Sequence, residues 1–265
     1  MINKRKAMLK LKYVLYLFFI GMFLGSIPSY GQSDKDSLQY KVDLNLSGRR
    51  ISGTFSQVVW GGGFNVDLFY KNWHLENNTS YRYNKTNTIL IEDNWYDLVT
   101  LKYYPNGNKK LYPGVFSHFD NNLIYRVKRR HNYGIGLGSV LDKGSMKLSL
   151  LGAIAQGNAT FNGSEFVNSD RDIATRKNGL LLFRLDNGYA IVKQKINFSY
   201  QLFYFQSLKE RTDYTIRFNP RISVQVLKGL SFYVVYNYRF ENVHLEELSN
   251  YNDIVLFGVN WGLSN

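Results

Sequence analysis

The sequence predicts an all-β protein, an antiparallel up-and-down transmembrane β-barrel of about 12 strands that follows an N-terminal signal peptide. Apolar and polar residues alternate over many segments, and this period of two is typical of strands with one apolar face. The apolar faces are aromatic, since the chain contains 21 Tyr and 18 Phe. The longest segments match the roughly 9–11 residues with which a tilted strand crosses a bilayer.

The clearest strands lie in residues 213–241, where Lys228 and Gly229 form a tight turn between two alternating segments. The apolar positions of these segments are Tyr214, Ile216, Phe218, Ile222, Val224, Phe232, Val234, Tyr236, Tyr238 and Phe240. Polar residues fill most positions between them. Two such segments joined by a Gly-containing turn predict a long β-hairpin.

The N-terminus has the pattern of a secretory signal peptide, predicted to cover residues 1–31. Basic residues dominate positions 1–12, an apolar segment covers 13–25, and small residues occupy Ser29 and Gly31. This apolar segment is shorter than the roughly 20 residues of a spanning helix. We expect cleavage between Gly31 and Gln32, which leaves residues 32–265 as an outer-membrane barrel domain. An uncleaved anchor is the alternative.

The remaining strands follow from the same alternation, taken in chain order. The predicted strands cover residues 38–47, 64–70, 73–84, 99–103, 111–126, 133–138, 146–154, 178–185, 196–204, 214–226, 231–240 and 255–263. An even number is expected of bacterial single-chain barrels. Segment 48–60 either extends the first strand or forms an outer loop. Alternation does not decide which face of 111–126 or of 178–185 points to the lumen.

The predicted connections alternate between short and long. The short ones are 71–72, 105–110, 142–144, 186–188 and 228–229, and the long ones are 84–93, 156–177, 208–212 and 242–252. The basic run 128–131 is assigned to a further turn. Outer-membrane barrels have short periplasmic turns and longer outer loops, so both chain ends are predicted to lie in the periplasm.

The last strand resembles the C-terminal signal that the outer-membrane barrel assembly machinery reads. Gly258, Trp261 and Leu263 carry the likeness, and the chain departs from the commonest form by ending in Asn265 rather than Phe. The resemblance implies that this machinery is a partner.

Residues 121–138 join a polar pair, an apolar run and basic residues to a Gly-rich strand. This stretch, the final hairpin and the closing strand resemble the salt-induced outer-membrane protein family, also called domain of unknown function 481. The resemblance implies an outer-membrane barrel of unresolved activity, and it implies no catalytic residues.

Charge and cysteine content exclude several classes of function. The net charge is +13, and five of the basic residues lie in the first twelve positions. The others are scattered over strands and turns, so we predict contact with anionic lipid rather than nucleic acid. The absence of Cys excludes disulfides and thiolate metal sites.

Two groups of residues have the types needed for chemistry. Ser117, His118 and Asp120 have the composition of a hydrolase site, but neighbours on a strand face opposite sides, so we predict no enzyme. Asp67, His74 and Glu76 are placed to share one face. We interpret this second group as internal ion pairs and predict no metal and no cofactor.

The residues predicted to line the lumen are mostly basic. They are Lys41, Asp43, Asp67, Glu76, Arg82, Lys102, Lys147, Arg217, Arg221 and Arg239. If Arg217, Arg221 and Arg239 pair with carboxylates, the barrel is closed and has a structural or envelope-stress role. If they do not, it is a small pore that favours anions. A secreted, soluble, lipocalin-like carrier is the third hypothesis, and the pattern does not predict the solute or the oligomeric state.

Overall fold

The computed structural model describes residues 37–51, 56–105, 110–169, 174–193 and 195–264. The predicted signal peptide and its cleavage site lie outside these residues. The strands are β1 (Gln39–Ile51), β2 (Gln57–Tyr70), β3 (Trp73–Thr86), β4 (Ile89–Tyr103), β5 (Tyr112–Asn122), β6 (Val127–Lys143), β7 (Met146–Phe161), β8 (Phe166–Val167), β9 (Thr175–Val192), β10 (Ile196–Ser207), β11 (Tyr214–Leu227), β12 (Leu230–Glu241), β13 (His244–Leu245) and β14 (Tyr251–Ser264).

Twelve of these strands form one closed antiparallel barrel, in which each strand pairs with its neighbours and β14 pairs with β1. The predicted fold class is therefore confirmed. The two short strands β8 and β13 pair with each other outside the barrel. No helix of the described residues is long and apolar enough to cross a membrane.

The apolar face of each strand points away from the lumen. Leu46, Leu137 and Phe257 are 69%, 63% and 58% exposed, whereas Arg217 and Asp120 are buried inside. A soluble carrier would have the reverse arrangement, with apolar side chains packed inside. Outward apolar and inward polar residues are the pattern of a barrel in lipid.

The connections differ between the two ends of the barrel. One end, the short-turn rim, carries the connections 71–72, 104–111, 144–145, 193–195 and 228–229. The other end, the long-loop rim, carries 52–56, 87–88, 123–126, 162–174, 208–213 and 242–250. The longest connections lie at the long-loop rim, as expected for the outer side of the membrane.

The two rims also differ in charge. Among the described residues, the short-turn connections contain Lys71, Lys110, Lys193, Lys195 and Lys228 and no acidic residue. The described long-loop connections contain Glu165, Glu210, Asp213, Glu246 and Glu247 against Arg126, Lys209 and Arg211. The short-turn rim is therefore basic and the long-loop rim is mildly acidic.

Aromatic side chains form a belt on the lipid-facing surface near each rim. The belt near the short-turn rim includes Tyr40, Tyr70, Trp73, Tyr103, Tyr189 and Trp261. The belt near the long-loop rim includes Trp60, Tyr81, Tyr83, Trp95, Tyr214 and Phe240. Two aromatic belts mark the two membrane–water interfaces of a transmembrane barrel.

Three predicted connections are wrong. The polar segment 84–93 is not a loop, because β3 and β4 continue to a tight turn at 87–88, where Asn87 adopts a positive φ of 52°. The basic run 128–131 lies in β6, because Arg130 faces inward to an acidic partner. Residues 186–188 lie within β9, where Asp186 pairs with Arg184. The actual turn lies at 193–195.

The segments that alternation left open are also resolved. Segment 48–60 is divided between β1 and β2, both longer than predicted. The predicted strand 111–126 ends at Asn122, and Tyr112, Phe116, His118 and Asp120 are its buried residues. In β9, Leu182 and Arg184 are buried in the lumen. The predicted loop 156–177 is shorter, since β7 continues to Phe161.

Candidate functional site: the barrel lumen

An ion-pair network crosses the lumen around Asp120, which is 2% exposed. Its Oδ2 is 3.0 Å from Arg217 Nη2 and 3.0 Å from Arg239 Nη1. Its Oδ1 is 4.0 Å from Arg130 Nε. Strands β5, β6, β11 and β12 are thereby joined through side chains inside the barrel.

Glu241 completes this group of residues, which we call the Asp120 network: Asp120, Arg130, Arg217, Arg239 and Glu241. Arg130 donates two bonds to Glu241, with 2.9 Å from Nη1 to Oε1 and 3.1 Å from Nη2 to Oε2. Arg239 also pairs with Glu241. Bidentate, charge-assisted pairs of this kind are the strongest hydrogen bonds that side chains form. Three arginines and two carboxylates leave the network with a net charge of one positive unit.

His118 is attached to this network. Arg217 Nη1 is 3.1 Å from His118 Nε2, and because arginine only donates, Nε2 accepts. The other ring nitrogen, Nδ1, lies 3.2 Å from Asn132 Nδ2. Ser117, in contrast, faces the outside of the barrel, where its Oγ lies 3.0 Å from His131 Nε2. Ser117 and His118 therefore face opposite sides of β5, as alternation requires.

A second charged group lies nearer the short-turn rim. Asp67, His74 and Glu76 come together as predicted, with 2.9 Å from His74 Nε2 to Asp67 Oδ1. Lys102 Nζ hydrogen-bonds Glu76, and Arg184 Nη2 lies 3.5 Å from the second Glu76 oxygen. Lys102 and Arg184 thus already pair with the Glu76 carboxylate, which a metal ion would need as a ligand. The geometry supports the interpretation as internal ion pairs.

An apolar cluster fills one side of the lumen, between the two charged groups. It comprises Leu98, Phe116, Ala153, Leu182, Phe203 and Phe205. The inward-facing glycines of β6 allow large side chains to approach, because a Cβ on Gly138 would collide with the ring of Tyr112. One side of the lumen is thus packed like a protein core.

The opposite side of the lumen contains a polar cavity of about 470 Å³, the vestibule. Asn94, Asn122 and Asn252 line it near the long-loop rim, and Asn65 and Arg221 line it near mid-barrel. Arg221 donates to Asn45 Oδ1 at 3.1 Å and lies over the Tyr233 ring at 3.8 Å. Among the described residues, Arg221 has no carboxylate within ion-pair distance.

The other predicted lumen residues lie near the barrel ends. Arg82 Nη1 is 3.5 Å from the buried Glu92, and Lys41 Nζ is 2.8 Å from Asp43. Lys147 is exposed at the short-turn rim. Sequence reasoning missed Arg130, Arg184, Asp186, Glu92 and Glu241 as lumen residues. The period-two pattern carried a signal for Glu241 alone, because it follows the alternating residues of β12.

The predicted assembly signal lies in β14. Trp261 faces lipid, and Gly258 lies close to Tyr233, since a Cβ at that position would collide with the tyrosine ring. Recognition of these residues and of Leu263 by an assembly machinery stays a prediction.

Two polar loops of the long-loop rim form a small cap over the packed side of the lumen. Phe166, Val243 and Leu245 make its apolar centre. Arg176 lies 4.0 Å above the Phe166 ring and 3.7 Å from Asp213 Oδ2. Burial raises the pKa of Asp213, against the opposing charge of Arg176.

Comparison with one solved structure, a porin, supports the barrel fold. The NanC porin aligns with a TM-score of 0.51 at 11% identity, over 84% of this chain and 100% of that chain. The translocator domain of the autotransporter NalP from Neisseria meningitidis aligns with a TM-score of 0.42 at 11% identity, over 94% of this chain and 97% of that chain. An anion-selective porin from Comamonas acidovorans aligns with a TM-score of 0.39 at 11% identity, over 86% of this chain and 99% of that chain.

Comparison by sequence identifies the family. No curated protein matches the chain. The family model described as "Protein of unknown function, DUF481" matches residues 44–260. The salt-induced character that the resemblance implied stays a prediction. The chain belongs to the DUF481 family, and its fold is that of an outer-membrane β-barrel.

Proposed function

We propose that the protein is a closed outer-membrane barrel with a structural role in the cell envelope, including a role under envelope stress. The Asp120 network carries this proposal. The pairing of Arg217, Arg221 and Arg239 distinguishes a pore from a closed barrel. Two of them, Arg217 and Arg239, are paired with the buried carboxylate of Asp120. Paired charges and the apolar cluster of Leu98, Phe116 and Phe203 oppose an open channel on that side of the lumen.

Reconstitution in a planar bilayer tests the proposal. The refolded barrel is expected to give no discrete current steps, although it inserts and shifts its gel mobility on heating. Steps from the unmodified protein, at a frequency that scales with its concentration, would overturn the closed-barrel proposal. A heat-denatured sample is the control for channels formed by contaminants.

The vestibule supports a second candidate function, a narrow pore that favours anions. Arg221 lines the vestibule and is not neutralised by a carboxylate among the described residues. A cation in a low-dielectric wall attracts anions. If steps appear, reversal potentials in a salt gradient are expected to show anion preference. Arg221→Gln is then expected to reduce that preference, whereas Arg50→Gln, an exposed arginine near the long-loop rim, is the matched control.

A further inference from the structure

Polar side chains cross the lipid-facing surface of β3 to β7, where most outward residues are apolar. One row runs directly across these strands through Thr79, Asp97, Phe119, His131 and Asn158. Asp97 Oδ1 accepts hydrogen bonds from Thr79 Oγ1 at 2.6 Å and from Asn77 Nδ2 at 2.9 Å. Polar groups on a lipid-facing surface are costly, so such a row calls for a functional explanation.

Ser117 and His131 form a hydrogen-bonded pair beside this row. Ser117 Oγ on β5 is 3.0 Å from His131 Nε2 on β6, and 14 residues separate them in sequence. Ser117 lies five residues before the end of β5 at Asn122, and His131 lies four residues after the beginning of β6 at Val127. A hydroxyl within reach of an imidazole nitrogen is the arrangement of an activated nucleophile.

An apolar groove adjoins this pair on the same face of the barrel. Its volume is about 1170 Å³, and Val115 and Ile135 line it one outward position beyond Ser117 and Tyr133. Gly152 lines it as well, and a Cβ at that position would meet nothing within 4 Å. Trp73 lines the groove near the short-turn rim. The groove therefore runs along the barrel wall towards the serine.

We propose that Ser117 and His131 form a serine esterase site for acyl esters of membrane lipids, with one acyl chain lying in this groove. The groove is apolar, lies in the lipid-facing wall and is lined by Val115, the outward neighbour of the nucleophile on β5, and these three features match an ester of a long hydrocarbon chain. This activity goes beyond the structural role, and it is independent of whether the lumen conducts.

The reaction follows from the pair's geometry. Ser117 Oγ attacks the ester carbonyl carbon, and His131 Nε2 takes the hydroxyl proton. The bond to the alcohol breaks, the alcohol receives that proton from His131, and an acyl ester of Ser117 remains. Water then attacks this ester through the same base. The fatty acid departs and Ser117 regains its proton.

Asn158 is a positioning residue for this site. It lies directly opposite His131 on β7 and faces the same side. An amide oxygen on Nδ1–H would hold the ring with Nε2 free to act as the base. The two side chains make no hydrogen bond in the structure, and catalytic hydrogen bonds often tighten only when substrate is bound.

Labelling with a fluorophosphonate probe tests the nucleophile in the refolded, full mature barrel in mixed micelles. Ser117 is expected to be the modified residue, identified by peptide mass spectrometry. Ser117→Ala abolishes labelling, and His131→Ala slows it at least a hundredfold. Ser139→Ala, a lipid-facing serine of β6 with no histidine partner among the described residues, is the matched control and labels normally.

Fatty-acid release tests the substrate class. Phospholipid vesicles and lipopolysaccharide micelles form two arms, and release in either one above the Ser117→Ala background identifies the lipid source. Gly152→Leu, which fills the groove, is expected to raise KM for long-chain esters at least tenfold more than for acetyl esters. Asn158→Ala is expected to lower kcat and to alter the pH profile. A folded barrel, shown by heat-shifted mobility, with no labelling at Ser117 or no release in both arms overturns the proposal.

Discussion

Arg217 on β11 and Asp120 on β5 meet across the lumen, 97 residues apart in sequence, with 3.0 Å between Nη2 and Oδ2. Among the described residues Arg217 has no other carboxylate within ion-pair distance, whereas Asp120 also pairs with Arg239. A buried charge that loses its partner is strongly destabilising. The stability of the barrel therefore depends on Asp120 more than on any exposed charge.

Asp120→Asn is expected to lower the free energy of unfolding by about 3–5 kcal/mol, because the buried Arg217 then loses its carboxylate partner. Denaturant-induced unfolding in detergent micelles, followed by tryptophan fluorescence, measures this change. Asp142→Asn, at an exposed position near the short-turn rim, is the control and is expected to change stability by less than about 0.5 kcal/mol. Equal effects at the two positions would contradict the network.

Arg217→Ala combined with Phe205→Ala is expected to open the packed side of the lumen. Arg217 bridges to Asp120, and Phe205 belongs to the apolar cluster, so the pair removes one element of each. Discrete current steps are expected from this variant and not from the unmodified barrel. Val226→Ala with Leu227→Ala, two exposed residues on β11, provides the control. If the double variant folds but gives no current steps, residues other than Arg217 and Phe205 close the lumen.

Gly138→Ala is expected to destabilise the barrel by about 1–3 kcal/mol, because the new Cβ would overlap the ring of Tyr112. Gly152→Ala on the neighbouring strand is the matched control. Its Cβ would meet nothing within 4 Å, so little change is expected. The shift of the unfolding midpoint in urea measures both variants. A neutral Gly138→Ala would mean that Tyr112 is free to move aside.

Addition of EDTA, or of Zn²⁺ after EDTA, is expected to leave the thermal unfolding of the barrel unchanged. Lys102 and Arg184 already pair with Glu76, so we expect no cation to bind at Asp67, His74 and Glu76. Differential scanning calorimetry in detergent provides the measurement. A rise in melting temperature with Zn²⁺ that His74→Gln removes would show instead that this group binds metal.

The periodic features of the fold were predictable from the sequence, but the side-chain pairs inside the barrel were not. The strand count, the lipid-facing sides and the hairpin of β11 and β12 follow from local alternation, which each strand carries by itself. The three basic residues at 128–130 read as a turn, because charge clusters usually occur in loops. Only pairing with Glu241, 111 residues away, explains why Arg130 lies in a strand.

The same limit applies to the site residues. Asp186-Asn187-Gly188 has a strong turn composition, yet Asp186 is held in β9 by its ion pair with Arg184. In the sequence, the histidine next to Ser117 is His118. In the structure, Ser117 hydrogen-bonds His131 on the next strand instead. Which residues face each other depends on strand register, and register is set by the closure of the whole barrel.

The lysines of the short-turn rim bear on how the barrel enters the membrane. When strands insert from the periplasm, the long connections must cross the hydrocarbon, whereas the short turns remain on the side of entry. Moving a lysine to the centre of a bilayer costs about 2.5–3.5 kcal/mol or more. If an inserted barrel reversed its orientation, Lys71, Lys193, Lys195 and Lys228 would all have to cross the hydrocarbon, and each would add this free-energy cost. Once inserted, the barrel keeps its orientation, and its topology is fixed at the moment of assembly.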